Sequence, residues 1–424
     1  MKRPWTETAA AAATIAVTII AVAVGAAPMA SAQPSTDQVA GQDFYLPPVP
    51  LPSSANGELI RSEPVTLMAG LAPPGVAGTR IMYQSADTFG VPVATTGIVL
   101  TPTAPWLGPG SRPVVSYAVG THGAGDNCAP SKLLTNAAML DDSGVPMVEY
   151  GLPDIAALLV RGISVVVTDY QGLGTPGGHT YLQPVPEAHA VLDAVRATIH
   201  LGVVEPDAPV GIWGYSQGGG AAGAAAEQAA SYAPDLDVRG TVVGGPSVDP
   251  TNVIEMLEGK SFSGFVGYYV NGLLAGYPRL APKIMGMLNQ QGQDFVRRTA
   301  GQCNWSTAFD FGFRPTTDFT VSGKTIIDEL KADPEVRAVL DTFVLGGTPP
   351  ADPVLITHNI NDEGILAGTT RELEAVWRRG GTDVTYLSVD TPPLLPEIGS
   401  LAHGAGAVVA IPQTSGWLID RLTR

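Results

Sequence analysis

One serine lies where a predicted strand passes into a predicted helix, with a glycine two residues away on either side. The motif Gly214-Tyr215-Ser216-Gln217-Gly218 follows the apolar run Val210–Trp213 and precedes an Ala-rich stretch. This G-x-S-x-G pattern is typical of a nucleophilic serine on a sharp turn, because side chains at the glycine positions would collide with the neighbouring strand and helix. A simple tight turn is the alternative, since the pattern also arises by chance in a chain with 50 glycines. We predict that Ser216 is a nucleophile.

A serine hydroxyl needs a base to remove its proton, and in this strand–turn–helix context the partners follow the serine in the order acid, then histidine. Only two of the six histidines, His358 and His403, come after Ser216. His358 ends an apolar strand-like run, where a structural imidazole is the better interpretation. His403 lies in the Gly-containing segment 399–406, which we expect to be a flexible loop between the last strand and the final helix. We therefore predict His403 as the general base.

The acid that orients this base should follow a strand, where its carboxylate can reach the imidazole. Asp362 meets that condition, whereas Asp352 precedes the same predicted strand and so lies at the wrong edge of the sheet. Asp390, which follows the next strand, is the second choice, and Glu363 would point elsewhere if Asp362 points inward. A solvated or helix-capping loop acid is the alternative interpretation. We expect Asp362 to fix the tautomer of the base without taking its proton.

An oxyanion hole needs two backbone N–H groups close to the nucleophile. The first is expected from Gln217, at the positive end of the helix that follows Ser216. The second is expected from the Gly-rich segment 120–126, which follows the first predicted parallel strand. His122 is our first candidate there and Thr121 the next, the alternative being that 120–126 is only a flexible loop.

Strands and helices that would hold these residues alternate along the chain. The opening strands, which we expect to be antiparallel, are Val65–Met68, Thr79–Tyr83 and Val91–Thr101. The largely apolar runs expected to form buried parallel strands are Val114–Val119, Ile163–Asp169, Val210–Tyr215, Gly240–Gly244, Pro353–Thr357 and Val384–Val389. The predicted helices are Asp154–Arg161, Glu187–His200, Gln217–Tyr232, Leu366–Arg379 and Gln413–Arg421. This alternation predicts an α/β fold, a mostly parallel sheet flanked by helices.

One interval breaks the alternation, because about 105 residues separate two predicted strands where a crossover needs about a dozen. We predict a core in two parts, 61–246 and 351–424, with an inserted helical cap, or lid, at 247–350. The apolar residues of this insertion line an acyl-chain pocket or form its ordinary core; they are Phe262, Phe265, Tyr268, Tyr269, Leu273, Leu274, Met285, Met287 and Leu288. Residues 33–60 are rich in Pro and Ser and predict an extended N-terminal arm.

The first residues predict export from the cell. Lys2 and Arg3 precede an uncharged, mostly apolar stretch, and Ala30-Ser31-Ala32 offers small residues for cleavage. We read 1–32 as a signal peptide, the alternative being a retained membrane anchor. Two cysteines, Cys128 and Cys303, would then meet in an oxidising compartment, where they are a candidate disulfide. Unpaired thiols or a two-cysteine metal site are the weaker alternatives.

Composition excludes several classes of protein. The 424 residues are 45% hydrophobic and only 15% charged, which disfavours disorder and coiled coil. Lys and Arg number 23 against 39 Asp and Glu, a net charge of −16. Binding to a phosphate backbone needs a basic face, so no nucleic-acid partner is expected. The balance fits an exported acidic protein.

Several motifs, taken in this order, resemble the secretory lipase family of fungi and actinobacteria, within the α/β-hydrolase superfamily. They are Ser116-Tyr117, Cys128-Ala129-Pro130-Ser131, Asp169 to Gly174, Gly214 to Gly219, and His358 to Asp362. The resemblance covers most of the chain from about residue 43. It implies an α/β-hydrolase fold with a helical cap, cleavage of acyl esters such as triacylglycerols, and no metal or organic cofactor.

By motif position, the resemblance also assigns Ser216, Asp362 and His403 to a catalytic triad and His122 and Gln217 to the oxyanion hole. It further implies that the two cysteines pair. We therefore expect a secreted, monomeric serine hydrolase, a lipase or carboxylesterase, that contacts a lipid interface transiently. An acyltransferase or a peptidase would use the same triad. A non-catalytic cell-envelope binding protein on this fold is the alternative from another class, and an intact triad argues against it.

Overall fold

The computed structural model describes residues 44–52, 55–68, 70, 72–393 and 401–424. The predicted signal peptide, 1–32, lies outside these residues, as does part of the predicted arm. Eleven strands are present among the described residues: β1 (Leu59–Val65), β2 (Val76–Ala86), β3 (Pro92–Pro102), β4 (Val114–Ala118), β5 (Met139–Leu140), β6 (Pro146–Met147), β7 (Ser164–Thr168), β8 (Val210–Tyr215), β9 (Val238–Gly244), β10 (Val354–Asn359) and β11 (Val384–Val389).

Nine of these strands form one sheet in the order β1-β2-β3-β7-β4-β8-β9-β10-β11, while β5 and β6 pair separately. Pairing is antiparallel from β1 to β7 and parallel from β7 to β11. Every residue of β4 and β7 is buried, which explains why these strands read as continuous apolar runs. The predicted α/β fold with a mostly parallel sheet is confirmed.

Thirteen α-helices accompany the strands in the described residues: α1 (Pro130–Asn136), α2 (Leu152–Leu159), α3 (Pro184–His200), α4 (Gln217–Tyr232), α5 (Pro250–Met256), α6 (Phe265–Gly276), α7 (Ala281–Met287), α8 (Gln290–Thr299), α9 (Asn304–Phe311), α10 (Ile326–Ala332), α11 (Pro334–Leu340), α12 (Ala367–Arg379) and α13 (Leu401–Leu422). Helices α3 and α4 pack on each other and on the sheet, and α13 packs on α2, β9 and β10. None of the helices described is both long and apolar enough to cross a membrane.

Seven of the helices, α5 to α11, lie between β9 and β10. They have a hydrophobic cluster of their own, separate from the cluster under the sheet. Tyr268, Tyr269, Leu273 and Leu288 are buried in it. The other apolar residues singled out in the sequence are buried in this cluster or packed against it, so these side chains serve as the core of the insertion.

Two elements differ from their predicted positions. The first strand was expected at Val65–Met68, but β1 covers Leu59–Val65 and so includes the last two residues of the predicted arm. The final helix was expected to begin at Gln413, but α13 already includes Leu401 and contains Pro412. Glycine and proline weaken helix propensity, and here packing on the sheet overrides that local preference.

Candidate active site

Ser216 sits on a strained turn at the carboxyl edge of the sheet. It joins β8 to α4 with φ 63° and ψ −121°, a conformation that a residue with a side chain rarely adopts. Its N–H donates to Gly244 O at 2.9 Å, which ties the turn to β9. A Cβ at Gly214 would lie 2.0 Å from Gly218 O, and one at Gly218 would lie 1.9 Å from Ala118 O. The two glycines are therefore required by space, as the motif predicted.

Asp362 and His403 lie in direct contact. His403 Nδ1 and Asp362 Oδ2 are 2.5 Å apart, and the carboxylate is buried. Its other oxygen, Oδ1, accepts from the N–H groups of Gly364 and Ile365, both at 2.9 Å. Burial raises the pKa of Asp362, but the adjacent His403 and these hydrogen bonds outweigh it, so the pKa lies below its usual value. Asp362 is thus an ionised acceptor for the imidazole.

His403 lies on α13 and not in a loop, which corrects the prediction made from its glycine neighbours. Its carbonyl accepts from Tyr215 Oη at 2.8 Å, and the two rings lie 4.9 Å apart. Asn359 Nδ2 donates to Ala402 O at 2.9 Å, so the end of β10 also holds this helix. His403 Nε2 is buried and has no hydrogen-bond partner among the described residues. His403 Nε2, which has no partner, therefore belongs to a ring that packs against Tyr215, the residue before Ser216.

His358 has the structural surroundings that the sequence suggested. It is buried in β10, its Nε2 is 3.0 Å from Ile365 O, and its Nδ1 is 3.2 Å from Thr370 Oγ1. Burial lowers its pKa even though Asp362 Oδ2 lies 3.7 Å from Nε2. A neutral imidazole here packs behind the carboxylate of Asp362.

Asp390, the second choice for the acid, lies elsewhere. It is exposed, and its Oδ1 accepts from Asn361 Nδ2 at 2.9 Å. Of the two carboxylates, the one in hydrogen-bond contact with His403 is Asp362.

The two residues predicted for an oxyanion hole lie on adjacent segments. Gln217 is the first residue of α4, and a Cβ at Gly120 would lie 3.3 Å from Tyr215 O, so segment 120–126 begins beside the Ser216 turn. Neither the N–H of Gln217 nor that of His122 has an acceptor among the residues that the structure describes. Thr121 is held by its carbonyl, which accepts from Tyr150 Oη at 2.7 Å.

The side chain of His122 turns away into a buried ion pair. Its Nε2 lies 2.9 Å from Glu149 Oε2, its Nδ1 lies 2.8 Å from Gly120 O, and its ring stacks on Tyr150. Burial lowers the pKa of His122, but Glu149 and the Gly120 carbonyl outweigh it and place the pKa above its usual value. These contacts therefore hold the ring of His122 against Gly120, the first residue of segment 120–126.

Cys128 and Cys303 form a disulfide with their Cα atoms 5.5 Å apart. Beside it, Ala124 N–H donates to Gln302 O, and Asn304 N–H donates to His122 O at 3.0 Å. The disulfide joins the insertion to Cys128, two residues beyond segment 120–126, and the two backbone hydrogen bonds fasten the insertion to the segment itself. Among the described residues no cluster of three or more His, Cys, Asp or Glu side chains is arranged to hold a metal ion.

Residues 144–424, more than half of the chain, match the family described as "Secretory lipase". The chain belongs to the secretory lipase family. Lipase A of Arthroderma benhamiae is 30% identical over 394 residues, 89% of this chain and 78% of that protein. A Mycobacterium tuberculosis protein named as a probable inactive lipase is 32% identical over 382 residues, 89% of this chain and 81% of that protein.

Solved structures with the same fold include Candida antarctica lipase A, with a TM-score of 0.73, 23% identity and coverage of 86% of this chain and 85% of that one. The cell wall degrading esterase LipA of Xanthomonas oryzae has a TM-score of 0.72, 20% identity and coverage of 88% and 100%. The α/β-hydrolase fold of this secretory lipase family member is thereby shown.

Other residues of this family member support the site but were not found by sequence reasoning. Tyr215 and Asn359 position the helix of His403, and Glu149 pairs with His122. Tyr215 occupies a variable position of the serine motif, and Asn359 ends a strand three residues before Asp362, so both had a positional signal. Glu149 had none, because it follows a short hairpin with no periodic pattern.

Proposed function

We propose that this chain is a secreted ester hydrolase, a lipase or carboxylesterase, that cleaves acyl esters such as triacylglycerols through an acyl-enzyme. The observation that carries the proposal is the Asp362–His403 hydrogen bond, with His403 Nε2 left without a partner beside the strained turn of Ser216. A binding protein would have no use for a base held in this way. Membership of the secretory lipase family also supports an acyl ester as the substrate.

In the proposed mechanism, Ser216 Oγ attacks the ester carbonyl carbon while His403 Nε2 takes the hydroxyl proton. Asp362 accepts from Nδ1–H and stabilises the imidazolium without becoming protonated. The proton then passes to the leaving alcohol, and water, activated by the same nitrogen, releases the acid from the acyl-enzyme.

The oxyanion that forms at the tetrahedral stage would accept from the N–H groups of Gln217 and His122. Both amides are held by structure that forms before substrate arrives: the start of α4 for one, and the His122–Glu149 pair for the other. Donors fixed in this way stabilise developing charge without reorganising.

We propose the insertion 247–350 as a cap over this edge of the sheet. Asn304 contacts segment 120–126 through its N–H and through Nδ2, which donates to Thr121 O at 3.1 Å. Lys260 Nζ lies 3.4 Å from Glu363 O, beside the acid. The insertion therefore meets loops that follow two different parallel strands, at the edge where α/β sheets bind ligands.

Export by the predicted leader belongs to the same proposal. Cleavage after Ala32 would leave a product that begins with Gln33. The intact mass of the protein recovered from a culture medium tests this assignment, and a product that retains residues 1–32 would overturn it.

The decisive experiment compares the wild type with Ser216→Ala on p-nitrophenyl esters of short to long acyl chains. We expect turnover in the wild type and a loss of at least about 1,000-fold in the variant, because removal of the nucleophile leaves only the oxyanion hole and binding. Circular dichroism of both proteins controls for folding. Undiminished turnover in the variant would contradict the proposal.

The relative named as a probable inactive lipase gives the binding alternative a specific basis. That alternative predicts no turnover by the wild type on any chain length. Product analysis with an added alcohol separates hydrolysis from acyl transfer, and emulsified triolein separates a lipase from an esterase.

A further inference from the structure

The side chain of Gln217 lies in a polar cluster that is cut off from solvent. Its Nε2 is 2.7 Å from Glu187 Oε1 and 3.1 Å from His179 Nε2. Gln217 and Glu187 are each 2% exposed and His179 is 1% exposed. None of these contacts serves the triad, so the cluster calls for a separate explanation.

The hydrogen bonds fix which group donates in this cluster. His179 Nδ1 lies 3.1 Å from Gln171 O, which can only accept, so Nδ1 carries the proton and Nε2 accepts. Burial lowers the pKa of His179 to about 4, in agreement with a neutral ring. Gln217 Nε2 therefore donates one hydrogen to His179 and the other to Glu187. Both hydrogens of the amide are used, which leaves its side chain one orientation.

Glu187 links three segments. It lies on α3, its Oε1 also accepts from Leu182 N–H at 3.0 Å, and through Gln217 it reaches the first residue of α4. That first residue supplies an N–H of the proposed oxyanion hole. We propose that Glu187 is a positioning residue for the oxyanion donor, and that its carboxyl must be uncharged for full activity. This inference rests on the proposed function.

In this inference, the charge of Glu187 determines the activity. Burial raises its pKa to about 8, against the opposing hydrogen bonds from Gln217 and Leu182. The other ionisable groups that face it are His179, which is neutral, and the phenols of Tyr170 and Tyr181, whose pKa values burial raises well above the usual value. Glu187 is thus the group of this cluster that becomes charged as the pH rises from 7 to 9.

Ionisation would place a buried negative charge next to the residue that binds the oxyanion. Two negative charges repel strongly where water is excluded, so the barrier to the tetrahedral stage rises. The repulsion acts on the transition state and not on the neutral ester, so kcat falls while KM stays the same.

The test measures kcat and KM for a soluble p-nitrophenyl ester from pH 6 to 10, in the wild type and in Glu187→Gln. The amide keeps an acceptor for Gln217 and Leu182 but cannot ionise. We expect the wild-type kcat to fall by about 10-fold above pH 8, and the Glu187→Gln kcat to stay level. Glu187→Leu removes the acceptor and should lower kcat at every pH.

Asp193→Asn is the matched control, because Asp193 is a second buried acid on α3 whose partners include Ser85 and Tyr232. It should keep the alkaline fall of the wild type. If Glu187→Gln does not fold, Gln217→Met keeps the backbone N–H, breaks the link to Glu187 and should lower kcat without changing KM.

An alkaline fall in Glu187→Gln equal to that of the wild type, or a Glu187→Leu variant as active as the wild type, overturns this inference alone. No turnover by the wild type at any pH overturns the proposed function, and the inference with it.

Discussion

Asp362 accepts three hydrogen bonds on two oxygens, from Gly364, Ile365 and His403. We expect Asp362→Asn to keep the two backbone bonds to Oδ1 while presenting an amide to His403. Such a change favours the wrong tautomer of the imidazole, and in a comparable triad it costs about 10⁴-fold in kcat. Steady-state kinetics on a soluble ester measure the loss, which we expect in kcat with little change in KM.

Asp390→Asn is the control for this experiment. It removes a carboxylate that follows β11 and accepts a hydrogen bond from Asn361. We expect its kcat to match the wild type. Equal losses of kcat in the two variants would show that the loss comes from removing a negative charge, and not from the contact with His403.

Asp362 also makes the stability of the folded protein depend on pH in the acid range. Its folded pKa is depressed, so the stability it contributes is present above the unfolded pKa of about 4 and is lost as the pH falls through the folded pKa. Loss of this contribution at low pH would accompany protonation of the carboxylate that contacts His403.

At the scale of elements, the serine turn and the sheet could be predicted because their signals are local. Gly214 and Gly218 are demanded by carbonyls within 2.0 Å of where a Cβ would lie, and such a requirement is visible in a motif. The helical surroundings of His403 could not be predicted in the same way. Gly404, Gly406 and Pro412 all argue against a helix locally, and only packing on the sheet holds them in α13.

The buried polar partners of the Gln217 side chain could not be predicted from the sequence either. Glu187 and His179 reach Gln217 from segments 30 and 38 residues away in sequence. No spacing rule links such residues, because Glu187 meets Gln217 where α3 packs on α4, and His179 meets it from the segment before α3. His403 and Asp362 could be singled out because chain order limits the choice, and the structure brings the two into contact. The side-chain partners of Gln217 have no such order.

The disulfide between Cys128 and Cys303 closes a loop of 175 residues and ties the insertion to the chain two residues after segment 120–126. Loop entropy predicts about 5 kcal/mol of stabilisation. We expect the Cys128→Ala/Cys303→Ala double variant to lose several degrees of Tm and to show faster amide exchange in segment 120–126. Calorimetry and hydrogen exchange measure the two effects.

The wild type treated with reductant should behave as the double variant does, whereas the double variant should not respond to reductant. Unchanged exchange in segment 120–126 in both proteins would contradict a tethering role.

At the scale of the whole molecule, an aromatic face lies exposed beside the site. Trp305 and Phe309, four residues apart on α9, are 43% and 76% exposed, and Phe313 follows at 59%. The neighbouring Asn304 contacts His122 O. Aromatic side chains bind at lipid–water boundaries, so we expect this face to contact the substrate surface.

Trp305→Ala/Phe309→Ala should therefore lower turnover of emulsified triolein by about 10-fold or more, given about 1.5–3 kcal/mol for each buried aromatic. Turnover of a soluble short-chain ester should not change. Leu107→Ala, which removes a 94% exposed apolar side chain ahead of β4, is the control and should leave both activities intact. A parallel loss on both substrates would assign the aromatic face to folding instead.

The Tyr215–His403 contact joins residues that are 188 positions apart in the chain. A chain that has not yet docked α13 lacks this contact and also lacks the base that we propose for Ser216. Under the proposed function, activity depends on the docking of α13. We therefore expect ester cleavage to appear only once α13 has docked.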